Sequence, residues 1–363
     1  MAELHTPLCD LLGTRLPIIQ APMAGGITTP ALVAAASNAG ALGSFGFAYT
    51  QPESMLRDID AVRQLTRAPI NLNLFVSPQP APVPASAQRE AIAALSGYYA
   101  ELGLPAPKPV SAPYAPDLEV QLNVIEEARP RVFTCHLGDL EVKRLRRMQA
   151  AGIRVGASAT CVAEAKHLET LGVDFIIAQG AEAGGHRGSY LRHPYEAMTG
   201  TLALTRLIVR AVNTPVVAAG GIMDGAGIAA VLALGAQGAQ LGTAFIPCSE
   251  SGAPPVHKQN VLAAREDTTL ITDKFSGKPA RGLANRYMRE MNGADAPRLA
   301  FPAQNMLTGP LRAAAAKAGS GDFVSMWAGQ AAPLARELSA AQLVITLEHE
   351  TLEALARLDA LRR

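Results

Sequence analysis

At 363 residues, 49% of them apolar and 17% charged, the chain can bury a large core and does not have a disordered composition. The formal net charge of +1 gives no broad attraction to nucleic acid or to an anionic membrane surface. No uninterrupted apolar run is long enough to span a membrane, and the N-terminus has neither the basic head nor the apolar core of a signal peptide, so a cytoplasmic protein is expected.

The first strand is expected at Pro17-Ile-Ile-Gln-Ala-Pro-Met23, followed by a helix that Thr29 caps and Pro30 opens. Gly40 ends that helix, and Ala41 to Phe47 forms the second strand. Residues 52–66 place Met55, Ile59, Val62 and Leu65 at helical spacing, and Ile70 to Phe75 is the third strand. Then the rhythm breaks. Prolines crowd both sides of a helical stretch at 88–102, beginning with Pro78 and Pro80 and ending with Pro113 and Pro116, which reads as a stiff insertion over the rest of the fold. After it, further apolar runs begin at Val132, Arg154, Phe175, Pro215 and Gln240, each preceded by a helical segment. Continuous apolar runs of this length suit parallel strands covered on both faces.

Eight such strands alternating with helices predict an α/β fold, a (β/α)8 TIM barrel with a proline-flanked insertion after strand three. The expected division is a barrel over 1–249, with the insertion at about 76–117, and a smaller, mostly helical region over 250–335. A C-terminal helix over 336–363 would pack on the barrel.

Strand ends on one face of such a barrel converge on one pocket. The polar residues there are Gln20, Asn71, Asn73, His136, Thr160, Gln179, His186 and Gln240 to Thr243, with Met23 beside them. Amides outnumber carboxylates, which suits a flat heterocycle with mixed donors and acceptors better than a metal. Gly220 and Gly221, at the end of strand seven, let backbone N–H groups approach an anion, and the loops after strands seven and eight commonly hold a phosphate. Cys9, Cys135, Cys161 and Cys248 form no Cys-x-x-Cys pair and read as buried thiols.

Five stretches carry a resemblance: Pro17-Ile-Ile-Gln-Ala-Pro-Met23; Ala36-Ser-Asn-Ala-Gly40 with Leu42-Gly43; Ala178-Gln-Gly-Ala-Glu-Ala-Gly-Gly-His-Arg-Gly188; Ala218-Ala-Gly-Gly-Ile222; and Gln240-Leu-Gly-Thr-Ala-Phe245. Together they resemble nitronate monooxygenases, FMN-dependent TIM barrels that convert alkyl nitronates to carbonyl compounds and nitrite. The resemblance implies FMN contacts from Ala21, Met23, Asn73, Gln179, Gly184, Gly220, Gly221, Gln240, Leu241, Gly242 and Thr243, with the phosphate at Gly221 and Gly242-Thr243. It puts His136 at the family's catalytic histidine and His186 as a second pocket residue, acting as imidazolium or as base. The partners implied are a small nitronate or nitroalkane and O2, with no nucleic acid or membrane, in a monomer or dimer. The alternative is an FMN-dependent NAD(P)H reductase on the same barrel, of the enoyl-acyl-carrier-protein or quinone type.

Overall fold

In the computed structural model, which describes residues 4–77, 81–293 and 296–362, eight parallel strands form one sheet. They are β1 (Ile18–Gln20), β2 (Gly43–Gly46), β3 (Ile70–Phe75), β4 (Val132–His136), β5 (Arg154–Ala159), β6 (Phe175–Gln179), β8 (Val216–Ala219) and β9 (Gly238–Leu241). Their order is β1-β9-β8-β6-β5-β4-β3-β2, and the two ends meet where Ile19 bridges Leu42. Gln20 N donates to Leu42 O at 3.0 Å and Leu42 N to Ile18 O at 2.9 Å, so the sheet closes into a barrel.

The continuous apolar runs are buried on both sides, as parallel strands require. Ile176 and Ala178 pack with Leu204 and Ile208 of the helix Thr201–Val209, while Phe175 and Ile177 pack with Leu8 and Leu12 in another cluster. Thr29 caps the first long helix, Pro30–Asn38, accepting from Leu32 N at 3.1 Å. The last predicted strand needs correction at both ends. It begins at Gly238 and stops at Leu241, and Thr243–Phe245 is a 3-10 turn whose Ala244 and Phe245 are buried. An apolar run cannot distinguish a buried strand from a buried turn that continues it.

The insertion contains the helix Ala85–Glu101, whose Leu95 and Tyr99 pack into a cluster with Leu307 and Leu311 of the helix Ala303–Lys317. Pro78 and Pro80 lie outside the described residues. The region after the barrel adds a hairpin that a mostly helical reading had not named. Its strands β10 (Thr269–Thr272) and β11 (Ala280–Leu283) pair antiparallel, and β11 also pairs with β7 (Gly185–His186). That three-stranded sheet fastens the glycine-rich segment after β6 to the C-terminal region.

The helix Ala340–Ala360 starts with a capping box at Ser339 and packs on the helices Gly225–Ala233 and Pro30–Asn38. A Cβ on Gly225 would stand 2.2 Å from Thr351 N and 2.4 Å from the Glu350 carbonyl carbon, so two backbones touch there. Gly225→Ala should therefore lower unfolding stability by about 1–3 kcal/mol through overpacking. Urea titration is the check, and an unchanged midpoint would refute close helix contact.

Candidate active site

The carboxyl ends of the strands open into a cavity of about 1220 Å³, its mouth included. β3 supplies Asn73 and Phe75, β4 ends on His136, and β5 contributes Ser158. Gln179 ends β6, His186 ends β7, and Gln240 precedes the turn through Gly242 and Thr243. Tyr49 lines the cavity from the loop after β2, and Trp327 and Gly329 come from the C-terminal region.

His136 sits beside Phe75 across the β3–β4 register, with ring centroids 5.5 Å apart. Its Nε2 lies 3.1 Å from His186 O, an acceptor, so Nε2 carries the proton and Nδ1 accepts from Ser158 Oγ at 2.8 Å. Burial pushes this imidazole down to about 4, against the opposing pull of its bond to the His186 carbonyl. Leu137, the next residue, has φ +70, a strained position for a residue with a side chain, and one worth about 1–3 kcal/mol. Gly188 packs on the other side: a Cβ there would meet His136 Cε1 at 2.5 Å.

His186 Nε2 lies 2.9 Å from Ser276 Oγ, whose own proton goes to Lys278 O at 3.0 Å. Nε2 of His186 is therefore the donor, and its Nδ1 is left as an acceptor. The rings of Phe75, Phe301 and Trp327 surround it at 5.5, 5.6 and 5.6 Å between centroids. Burial, reinforced by the charges of Lys278 and Arg312, holds this imidazole down to about 3. Both rings are neutral at neutral pH. Of the two roles the sequence leaves open, imidazolium and base, the charged one is disfavoured, because the same walls that enclose the cavity desolvate the charge.

Gly220 and Gly221 both have positive φ, +115 and +70. A Cβ on Gly184 would stand 2.6 Å from the Ala328 carbonyl carbon, and one on Gly329 2.7 Å from Glu182 O. Three backbone segments thus meet without side chains between them, and Thr243 Oγ1 joins them by accepting from Gly329 N at 2.9 Å.

The structure brings nearly all the residues expected from the sequence into this cavity: Ala21, Met23, Asn73, His136, Gln179, Gly184, His186, Gly220, Gly221, Gln240, Gly242 and Thr243 all line it. Leu241 does not. Its side chain is buried in the core with Ile18 and Leu32, although its carbonyl accepts from Ala21 N at 2.8 Å. Gln179 lines the wall but is engaged within the protein: Nε2 donates to His186 O at 3.0 Å and Oε1 accepts from Gly188 N at 2.8 Å. Asn73 Nδ2 donates to Thr134 O and Oγ1, both at 3.0 Å. Gln20 and Asn71 lie inside the barrel, bonded to Ser44, and Thr160 is bonded to Glu164. The sequence reading did not single out Tyr49, Ser158, Trp327 or Gly329. Only Ser158 carried a signal, a polar residue two before Thr160 on the same strand.

A parallel (β/α)8 barrel whose cavity joins a glycine cradle to amides and neutral imidazoles is the framework of an enzyme that takes a small molecule at the carboxyl ends of its strands. The sequence profile of the family described as nitronate monooxygenase matches residues 5–350. A nitronate monooxygenase of Paraburkholderia phytofirmans is 43% identical over 357 residues, 97% of this chain and 96% of its own. One of Pseudomonas aeruginosa is 43% identical over 343 residues, 94% of this chain and 97% of its own. The crystal structure of a nitroalkane oxidase from Streptomyces ansochromogenes superposes with a TM-score of 0.89 at 41% identity, covering 97% of this chain and 99% of that one. FabK from Thermotoga maritima superposes with a TM-score of 0.77 at 30% identity, covering 98% and 99%. The chain belongs to the nitronate monooxygenase family, a family of flavin-dependent enzymes. No helix among the described residues is long and apolar enough to cross a membrane.

The two imidazoles make stability depend on pH. Their folded values, about 4 and about 3, lie below the 6.5 of a free imidazole, so the unfolded chain binds more protons between these limits. Their contribution is fully present above pH 6.5 and is lost as pH falls through 4 toward 3. Melting temperature should drop between pH 7 and 5, and a His136→Gln/His186→Gln protein should drop less. Equal slopes for the two proteins would show that these rings are not buried as neutral bases.

Proposed function

We propose that the chain binds FMN and oxidises alkyl nitronates, such as propionate 3-nitronate, with O2 to carbonyl compounds and nitrite. The observation that carries this reading is the buried Oε1 of Gln240, a residue of the cavity lining, which is an acceptor that no group of the chain satisfies. The glycine cradle fits the other end of the same molecule, since the positive φ of Gly220 and Gly221 and the close backbone packing at Gly184 bring main chain without side chains to the cavity lining, where N–H groups can meet an anion. On this reading Gly220, Gly221, Gly242 and Thr243 hold the phosphate, and Asn73 and Gln240 face the ring. When bound, such a cofactor supplies one-electron transfer from an electron-rich anion to dioxygen.

The residues of the chain also favour one substrate form. A base works best with a pKa near the working pH, and imidazoles held at about 4 and about 3 are poor acceptors for a carbon-bound proton. Both nitrogens of His136 are engaged as well. A nitronate arrives with that proton already gone, so the protein has only to bind and orient it. His136 supports the His186 carbonyl, and His186 with Phe75, Phe301 and Trp327 forms the wall that excludes water.

The second reading is an FMN-dependent NAD(P)H reductase on the same barrel. Purified protein should be yellow and should consume oxygen with propionate 3-nitronate in the absence of NADH. Rapid bleaching by NADH with no nitronate-dependent oxygen uptake would favour the reductase instead. His136→Asn should keep the flavin and lower kcat/KM for nitronates about 100-fold by misplacing the His186 segment; full activity would remove His136 from the mechanism. For one carbon skeleton, kcat/KM should be at least about tenfold higher for the nitronate than for the neutral nitroalkane, and the reverse order in steady-state assays would restore a base role.

A further inference from the structure

A second cavity opens at the opposite end of the barrel. Ile70 begins β3 and Arg131 immediately precedes β4, so this groove of about 810 Å³, its mouth included, lies at the amino ends of the two strands. It shares no lining residue with the cavity at the carboxyl ends. Arg63, Arg67, Arg129 and Arg131 line it, and among the described residues no lysine, histidine or carboxylate does. That is a concentrated excess in a chain whose net charge is +1.

Two of the four guanidiniums are anchored on helix ends. Arg63, on the helix Pro52–Leu65, donates to Ala128 O at the end of the helix Leu118–Ala128. Arg131 Nη2 donates to Leu11 O at 2.7 Å, near the end of the helix Pro7–Leu12. Helix-end carbonyls hold a cation in place but do not neutralise it. The exposed side chains of Arg67 and Arg129 have no hydrogen bond or ion pair among the described residues. Arg129 also has φ +46, the left-handed conformation that a helix end ordinarily gives to glycine or asparagine. Between the arginines the wall is apolar, with Ala68, Pro69, Ile70 and Ala128 half-buried along it. Like charges gathered on one wall repel, and an anion among them relieves the repulsion. The planar N–H fork of arginine matches phosphate oxygens in pairs, and a diphosphate carries enough charge for more than one fork.

We propose that this groove binds a phosphorylated small molecule of nucleotide size, with its phosphates among the four arginines and its flat ring on the apolar wall. The volume lies within the range of about 300–1,000 Å³ usual for small-molecule sites. The site is separate from the flavin cavity and does not depend on the nitronate reading.

Calorimetric titration of the purified holoprotein with ADP tests this without any turnover. ADP should bind, and its Kd should rise at least about tenfold in Arg67→Gln/Arg129→Gln, the loss expected when charge-assisted hydrogen bonds are removed. Arg57→Gln, exposed on the same helix as Arg63 but outside the groove, should change the Kd less than about twofold. An equal loss there would reduce the effect to general charge attraction and overturn the site. Arg129→Gly suits the left-handed backbone and so guards against a folding defect; it should weaken ADP as Arg129→Gln does, and full binding in it removes Arg129 from the site. Pyrophosphate should bind more weakly than ADP, and equal binding overturns the place given to the ring. No heat with ADP at millimolar concentration, or a Kd unchanged in the double variant, overturns the proposal. Duplex DNA or phosphatidylglycerol vesicles bound more tightly than ADP, with that binding lost in the same double variant, would assign the groove to a larger polyanion and overturn a small-molecule ligand.

Discussion

The carbonyl oxygen of His186 holds the site together. It accepts from His136 Nε2 at 3.1 Å and from Gln179 Nε2 at 3.0 Å, so a strand-four imidazole and a strand-six amide both fix one backbone atom of a segment outside the barrel. Gly188 N returns a bond to Gln179 Oε1 at 2.8 Å, and the Arg187 guanidinium bonds to Gln179 O and to Ala197 O. On its other edge the segment pairs with β11, which brings in the C-terminal hairpin. Gln179, His186, Arg187, Gly188 and Ala197 are buried and His136 is half-buried, so losing one partner would leave another unsatisfied at a cost of about 1–3 kcal/mol. The cavity wall is therefore fixed by one cooperative knot, and the position of His186 cannot change without that of His136.

The same enclosure determines the chemistry. Desolvation lowers both imidazoles enough to remove the positive charge that a nitronate would otherwise meet at either ring. It also strengthens whatever electrostatics remain inside, because the effective dielectric is low. A site that keeps its histidines neutral must supply stabilisation for an anion from hydroxyl and backbone donors.

Much of this was legible in the sequence because a parallel barrel records itself simply. Buried strands appear as continuous apolar runs, and Ile70–Phe75 matched its expected strand residue for residue. The glycine pair at Gly220 and Gly221 signalled a backbone conformation that few other residues tolerate. What stayed hidden was set by tertiary contact. Thr269-Leu-Ile-Thr272 is too short to read as a strand without its partner Ala280–Leu283, and Gly185–His186 becomes a strand only because β11 lies alongside. Tyr49 and Trp327 are 278 positions apart, and nothing in either neighbourhood marks the cavity that both line. The neutral state of the histidines was illegible for the same reason, since a residue type does not reveal its own desolvation.

Polar groups inside the barrel separate structural from functional polarity. Beneath the cavity, Gln20 exchanges bonds with the Ser44 backbone at 2.8 and 3.2 Å, and Asn71 bonds Ser44 Oγ at 3.2 Å and Thr134 Oγ1 at 2.9 Å. That layer is satisfied by its own members and explains how amides can sit at barrel positions usually filled by aliphatic side chains. In contrast, Gln240 Oε1 and the Tyr49 hydroxyl, on residues of the cavity lining, are buried with no partner. Orphaned atoms alone do not mark a site, since Ser189 Oγ and Tyr190 Oη share that state away from the cavity lining. Gln240 and Tyr49 belong to the cavity lining and Ser189 and Tyr190 do not, so only the first pair of residues lies beside a space that a molecule from outside the fold can enter.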